Sequence, residues 1–342
     1  MLFKCLCHSF ISIIISLLLF GCSTPKTQPS SGLKQDPVFN MSEFIADDGY
    51  RLPFRLSWPV NAKKGIVVAL HGFNDYSKAF DRMCDHFVLN GYACLAYDQR
   101  GFGDTNHIGI WPTTGRLQQD LFSLVEKLRK KYPQQPVFLV GESMGGAVIL
   151  TAMSDAELPL SRHVEGVILY APAVWARSTQ PWYQRLSLWL AVHIFPDWSP
   201  TGEGLGVQAT DNIDALREMG RDKKVIKATR IDAIYGLTNL MDAALLGAKS
   251  VSIPTLVLYG DNDEVIPKKP TCEMLAAMRS DREMVSFIHY ENGYHMLSRD
   301  LQSARVFEDS ITWMDTMRVA SNSKIDLLKL RAGESVNYCI DN

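Results

Sequence analysis

Short apolar runs punctuate the chain at 65–70, 93–97, 137–140, 166–170, 255–259 and 285–289. Polar and apolar positions do not alternate within them, as they would on a strand with one wet face. They read as strands covered on both sides. The stretches between them are long enough for helices, with 117–132 the clearest, so the pattern predicts a mainly parallel central sheet with helices on both faces. Ahead of the series, 44–58 reads as two short strands around an Asp48-Gly49 turn. No internal repeat is visible.

The strand rhythm stops between 171 and 253. That segment holds Trp175, Trp182, Trp189 and Trp198, more than half of the seven tryptophans, and reads as a mostly helical cap inserted into a core of 41–170 and 254–320. Within it Trp182, Leu186, Trp189, Leu190 and Ile194 recur at helical spacing, with Gln184, Arg185 and Ser187 off the stripe. Such a stripe either packs a cap helix onto the core or forms an apolar entrance. On the second reading Trp175, Trp182 and Trp189 belong to a substrate pocket, and the entrance touches a membrane.

The ends lie outside this pattern. Residues 1–21 carry Lys4 and an almost wholly apolar run over 10–20, shorter than the ~20 residues a membrane-spanning helix needs and suited to a signal-peptide core. The run ends in Leu19-Phe-Gly-Cys22, which resembles a bacterial lipobox. The resemblance implies cleavage before Cys22, lipid on its thiol and new amino group, and, with Ser23 following, a place in the outer membrane of a bacterial envelope. An ordinary cleaved signal or an uncleaved anchor is the alternative. Residues 22–40, rich in Ser, Pro, Gln and Lys, read as a flexible tether, and 321–342 as a polar tail.

About 300 residues remain for the fold, ample for a large core. A net charge of −2, with 21% charged residues, gives no electrostatic footprint for nucleic acid. Of the seven cysteines, Cys84, Cys94, Cys272 and Cys339 lie beyond the signal and Cys22. They lack metal-ligand spacing and read mainly as small buried residues; an oxidising periplasm would allow a disulfide, with no pair specified by the sequence. No phosphate loop, metal cluster or flavin signature appears, so the chemistry is expected to need no cofactor. Oligomeric state is left open.

The chemistry concentrates at Gly141-Glu-Ser-Met-Gly-Gly146, between a buried strand and an apolar helix. A serine on so sharp a strand-to-helix turn stands out above the sheet, and the helix start aims backbone N–H groups at charge developing beside it. Ser143 is the candidate nucleophile. It needs a base, and His295, in Tyr290-Glu-Asn-Gly-Tyr-His295 beyond the last apolar strand, is the best placed of eight histidines. The orienting acid is Asp263 in Gly260-Asp-Asn-Asp263, with Asp261 and Glu264 as competitors. Backbone N–H groups of Met144 and of Phe73, in His71-Gly-Phe-Asn-Asp75, are the candidate oxyanion donors. His71 reads as a brace for that loop. Asp98-Gln-Arg-Gly-Phe-Gly-Asp104 lacks the third glycine and helix of a nucleotide site and reads as a strand-exit turn held by Asp98 and Arg100.

Taken in order, His71-Gly, Asp98-Gln-Arg-Gly-Phe-Gly, Gly141-Glu-Ser-Met-Gly-Gly146, Gly260-x-x-Asp263 and Tyr294-His295 resemble the α/β-hydrolase superfamily. Within it they are most similar to the monoglyceride-lipase and lysophospholipase branch, also described as serine-aminopeptidase-like. The resemblance spans roughly 44–317. It implies hydrolysis of an acyl ester, such as a monoacylglycerol or lysophospholipid, through an acyl-serine. Phe73 stands where relatives often carry a smaller residue, and Glu142 where a histidine is common. A short-chain esterase, a peptidase of the same branch and a transacylase are the enzymatic alternatives. A non-catalytic envelope lipoprotein using the fold for binding is the alternative of another class.

Overall fold

The computed structural model describes residues 23–60, 64–204, 206–278, 284–319 and 339. The expected signal peptide, Cys22 and all of the polar tail except Cys339 lie outside the described residues. In chain order the elements are β1 (Val38–Phe39), β2 (Glu43–Ile45), β3 (Arg51–Ser57), β4 (Gly65–Leu70), α1 (Asp81–Leu89), β5 (Tyr92–Tyr97), α2 (Thr114–Lys131), β6 (Val137–Glu142) and α3 (Met144–Met153). They continue with β7 (Gly166–Tyr170), α4 (Trp182–Ile194), α5 (Ile213–Arg221), α6 (Ile231–Gly247), β8 (Thr255–Gly260), α7 (Lys268–Ala277), β9 (Val285–Tyr290) and α8 (Ser303–Thr316).

The strands form one sheet in the order β1-β2-β3-β5-β4-β6-β7-β8-β9. Pairing is antiparallel from β1 to β5 and parallel from β5 to β9. Unbroken apolar runs arise because alternate residues of each central strand feed different cores. In β4, Ile66, Val68 and Leu70 join one apolar cluster with residues of α2, α3, α6 and α7. Val67 and Ala69 join the other, with residues of α1 and α8. Helix α2 begins three residues before its predicted start because Thr113 caps it, accepting from the Arg116 N–H.

Three features depart from expectation. Residues 23–36 do not hang free. Lys26 N–H donates to Asp232 Oδ2 at 3.2 Å, Gln28 to Trp111 O at 3.0 Å and Gln35 to Asp47 O at 2.7 Å, so the segment is a strap along the body that leads into β1. Polar composition signalled flexibility, but backbone groups found acceptors on distant loops. Second, α6 does not belong to the cap. Ala233, Leu240, Met241 and Ala244 join the main core, and the helix packs along α3. Third, the cysteines read mainly as small buried residues are all paired, the disulfide left open by the sequence being realised twice, Cys84 with Cys94 and Cys272 with Cys339. Each pair joins separate segments, which spacing alone does not reveal.

At the exit of β5 the predicted turn is a buried ion cluster. Asp98 accepts from the N–H groups of Ser77 at 2.9 Å and Asp104 at 2.8 Å. The Arg100 guanidinium lies over the Tyr50 ring and donates to Asp48 at 2.7 and 2.8 Å and to Asp120 at 2.8 Å. Burial raises the Asp120 carboxyl to about 6 in spite of that partner. Arg100→Met strands a buried carboxylate and should cost about 3–5 kcal/mol in urea unfolding. Adding Asp120→Leu to the same protein should restore part of the loss.

Candidate active site

Ser143 sits between β6 and α3 with φ 53° and ψ −114°, a left-handed conformation that a side chain adopts only under constraint. The constraint is visible at its neighbours. A Cβ on Gly145 would lie 2.0 Å from the carbonyl oxygen of Leu70 at the end of β4. One on Gly141 would lie 2.6 Å from the backbone of Gly145 and Gly146. Only with both positions bare can α3 press onto the strand ends and hold Ser143, the residue before it, up.

Ser143, Asp263 and His295 come together from the segments that follow three parallel strands, β6, β8 and β9. The Ser143 hydroxyl is 2.9 Å from His295 Nε2, and His295 Nδ1 is 2.8 Å from Asp263 Oδ2. Asp263 also accepts from the N–H groups of Val265 and Ile266, each at 2.8 Å on Oδ1, so its carboxylate is fixed at both oxygens. Asp263 sets the tautomer: Nδ1–H donates to the carboxylate and Nε2 is left to accept from the serine. The competitors face elsewhere, Asp261 toward His289 and Glu264 toward the N–H of Gln208.

The loop after β4 reaches the same place. A Cβ on Gly72 would lie 3.4 Å from Ser143 Cβ and 4.0 Å from its Oγ. Backbone at Gly72 is therefore beside the nucleophile, with Phe73 next in the chain and Met144 directly after Ser143 at the start of α3. The Phe73 ring turns away and packs on Phe102 and Trp111, with centroids at 5.7 and 6.0 Å. His71 is a fully buried brace. Its Nδ1 donates to Gly72 O at 2.8 Å and its Nε2 accepts from the Gln99 N–H at 2.9 Å, while burial holds its pKa down and the ring neutral.

Sequence reasoning missed the groups that hold the His295 loop. Glu142, buried directly before the nucleophile, accepts from Ser298 N–H at 3.1 Å and from Ser298 Oγ at 3.0 Å. Arg299 pairs with Asp75 of the oxyanion loop. Asp300 accepts from Tyr294 N–H at 2.7 Å and from Thr210 Oγ1 at 2.6 Å. One short loop is thus fastened to the elbow, the oxyanion turn and the cap. The signal was the departure at Glu142 itself. Burial alone would depress the His295 pKa. The adjacent Asp263 charge and hydrogen bond, with Glu142 and Asp300 behind, outweigh it and raise the pKa above its ordinary value.

The cap tryptophans fall in two environments. Trp175 is half-buried against the main core, whereas Trp182 and Trp189 are 68% and 53% exposed on the outer side of α4. The helix buries Val192 and packs toward α6 with that side, leaving the predicted stripe outward. Helical spacing identified an apolar face but not which of two apolar sides would be covered.

Sheet topology, elbow and hydrogen-bonded Ser–His–Asp chain together define an α/β hydrolase. The chain belongs to the serine aminopeptidase S33 family (Hydrolase_4), whose model matches residues 61–302. Human monoglyceride lipase is 24% identical over 301 residues, an alignment covering 85% of this chain and 94% of that protein. The monoacylglycerol lipase of Mycolicibacterium smegmatis is 24% identical over 284 residues, covering 79% and 95%. A soluble variant of monoglyceride lipase from Saccharomyces cerevisiae, solved with a substrate analog, superposes with a TM-score of 0.67 at 22% identity, covering 87% of this chain and 97% of that one.

A base must be neutral to accept the serine proton, so the raised pKa of His295 places the acid limb of kcat/KM above the pH of about 6.5 at which a free imidazole titrates. Asp263→Asn removes the largest raising influence. The limb should move to lower pH while the rate on the plateau falls about 10⁴-fold. A pH–rate profile of both proteins reads the two effects separately.

Proposed function

We propose that this protein hydrolyses carboxylic esters of monoacyl lipids, monoacylglycerols or lysophospholipids, through an acyl-serine intermediate. The hydrogen-bonded chain from Ser143 through His295 to Asp263, on a strained elbow, carries the reading. His295 Nε2 takes the hydroxyl proton as Ser143 Oγ attacks the ester carbonyl, and Asp263 stabilises the imidazolium. The oxyanion gathers the N–H groups of Met144 and Phe73. Collapse of the tetrahedral adduct expels the alcohol, protonated by His295. Water, deprotonated by the same imidazole, then releases the fatty acid. The named activities of the monoglyceride-lipase relatives, which align over most of their length, support the lipid class.

The lipobox-like Leu19-Phe-Gly-Cys22 supports acylation at Cys22 and residence on a bacterial envelope membrane, with the outer membrane favoured by Ser23. The two disulfides suit an oxidising compartment outside the cytoplasm. The family's aminopeptidase description keeps a second reading in view, cleavage of short peptides by the same nucleophile.

A fluorophosphonate probe should label the protein and fail on Ser143→Ala, whose ester turnover should fall by at least about 10⁴-fold. A panel of monoacylglycerols, lysophospholipids, short esters and an aminoacyl amide decides the substrate. Preference for the amide would replace the lipid reading. Equal labelling of both proteins would remove Ser143 from its role. Mass analysis of the mature N-terminus reads the lipid on Cys22.

A further inference from the structure

An N–H that is to receive the oxyanion cannot be spent on an acceptor of its own chain, so residue 73 has to be placed by other means. Residues on either side of it are fastened through polar side chains. His71 bonds to Gly72 O and to the Gln99 N–H. Asn74 Nδ2 donates to Thr229 Oγ1 at 2.6 Å, and its carbonyl accepts from the Ile226 N–H at 2.9 Å. Phe73 is placed by its ring, which packs on Phe102 and on the buried indole of Trp111. Where Trp111 sits therefore helps to decide where the donor sits.

Trp111 is held in turn by the N-terminal strap. Gln28 donates its N–H to Trp111 O at 3.0 Å and its side-chain amide to Ile110 O at 2.8 Å, so one strap residue grips two successive carbonyls. Gly101, at φ 83°, makes the room: a Cβ there would lie 2.8 Å from Ile110 O and 2.9 Å from Gln28 Nε2. Lys26, two residues earlier, donates its N–H to Asp232, which Arg230 also holds at 2.6 and 2.9 Å. One turn further along α6, on the same face, is Gly236, where a Cβ would lie 2.2 Å from Trp111 Cδ1. The strap thus reaches both the backbone of Trp111 and the helix pressed against its indole.

We propose that the N-terminal strap belongs to the active site, with Gln28 a positioning residue that acts through Trp111 on the Phe73 N–H. The inference rests on the oxyanion role given to that N–H. Detaching the strap leaves Ser143, His295 and Asp263 in place and lets the oxyanion donor drift. Misplacement by about 1 Å can cost about 10²-fold in rate, and outright loss of an oxyanion donor about 10²–10³-fold. A donor loosened rather than lost should cost about tenfold.

The test compares the full chain with Gln28→Pro, which removes both donors of residue 28 in a segment outside helix and strand, where proline interrupts no ladder. With p-nitrophenyl butyrate, kcat should fall about tenfold while KM stays within about twofold, because an oxyanion donor acts on the transition state rather than the bound ester. Fluorophosphonate labelling of Ser143 should slow by about the same factor, since the oxygen on phosphorus draws on the same donors. The acid limb of the pH–rate profile should stay in place, because the partners of His295 are untouched. In a Trp111→Leu background the same proline should add little, and this non-additivity reads the path. Parent-like kcat and labelling, a raised KM with kcat unchanged, or full additivity with Trp111→Leu each overturn the proposal. An acid limb displaced together with kcat assigns the loss to a general loosening and does likewise. Should Gln28→Pro not fold, Gln28→Met takes its place. It keeps the backbone bond and should lose about threefold, the low end of one neutral hydrogen bond; parent-like rates then overturn the proposal. A parent protein that never labels refutes the functional reading and this inference together. One labelled at Ser143 that cleaves no monoacyl lipid refutes the lipid reading alone.

Discussion

The contact between Gly145 and the carbonyl of Leu70 is the constraint on which the site depends. Because residue 145 has no side chain, α3 can start directly against the end of β4, and the turn before it closes tightly enough to force Ser143 to positive φ. That single approach does two jobs. It lifts the nucleophile above the sheet, and it brings the first N–H groups of α3 beside the loop that leaves β4. The register of β4 on β6, with Leu70 opposite Gly141, keeps nucleophile and oxyanion loop at matched heights. Strain at one residue is stable here because a buried parallel sheet over-determines the positions around it.

Histidine is supplied differently, from a loop rather than a strand end, and its placement is electrostatic as much as steric. Glu142 and Asp75 reach the 294–300 loop from outside it, each meeting donors on it. Asp300 at its end accepts from Tyr294 within the loop and from Thr210 of the cap. Burying carboxylates this closely has a cost, seen in Asp300 raised to about 6 by burial despite its hydrogen bonds to Thr210 and Tyr294. The arrangement offsets that cost by holding the imidazole rigidly and biasing it toward the protonated state that forms during attack. Glu142 serves the site although it touches neither of the reacting side chains through a hydrogen bond of its own.

What was legible in the sequence was local. The unbroken apolar runs gave the buried strands, and the elbow, the Asp263 turn and His295 each follow a strand closely enough to be read from a few residues. The parts that escaped depend on distant partners. Spacing carries no information on which cysteine reaches which, so Cys84 and Cys272 could not be matched. The strap looked like a linker because its acceptors, at Asp47, Trp111 and Asp232, are spread along the chain. Glu142 was noticed only as an unusual neighbour, since Ser298 lies more than 150 residues away. The stripe on α4 was found with two readings, packed onto the core or open as an entrance, and its exposure removes the first, because periodicity is silent on which of two apolar sides a neighbour covers.

Core and cap are held by unequal means, and this bears on how one chemistry can select its substrates. The elbow helix α3 is buried along nearly its whole length, while α4 buries only Val192 and α5 buries no residue. Local opening free energy follows buried apolar contact, so it is smallest in the cap and largest under the catalytic residues. The cap nevertheless touches the machinery, through Thr210 on Asp300, Ala209 on Met296 and Gln208 on Glu264. The segment 208–210 between α4 and α5 therefore ties the cap to the His295 loop through a few bonds. The approach of Gly145 to Leu70 holds the nucleophile independently of the cap. Selectivity can then reside in the loosely held layer without disturbing the geometry that performs the reaction.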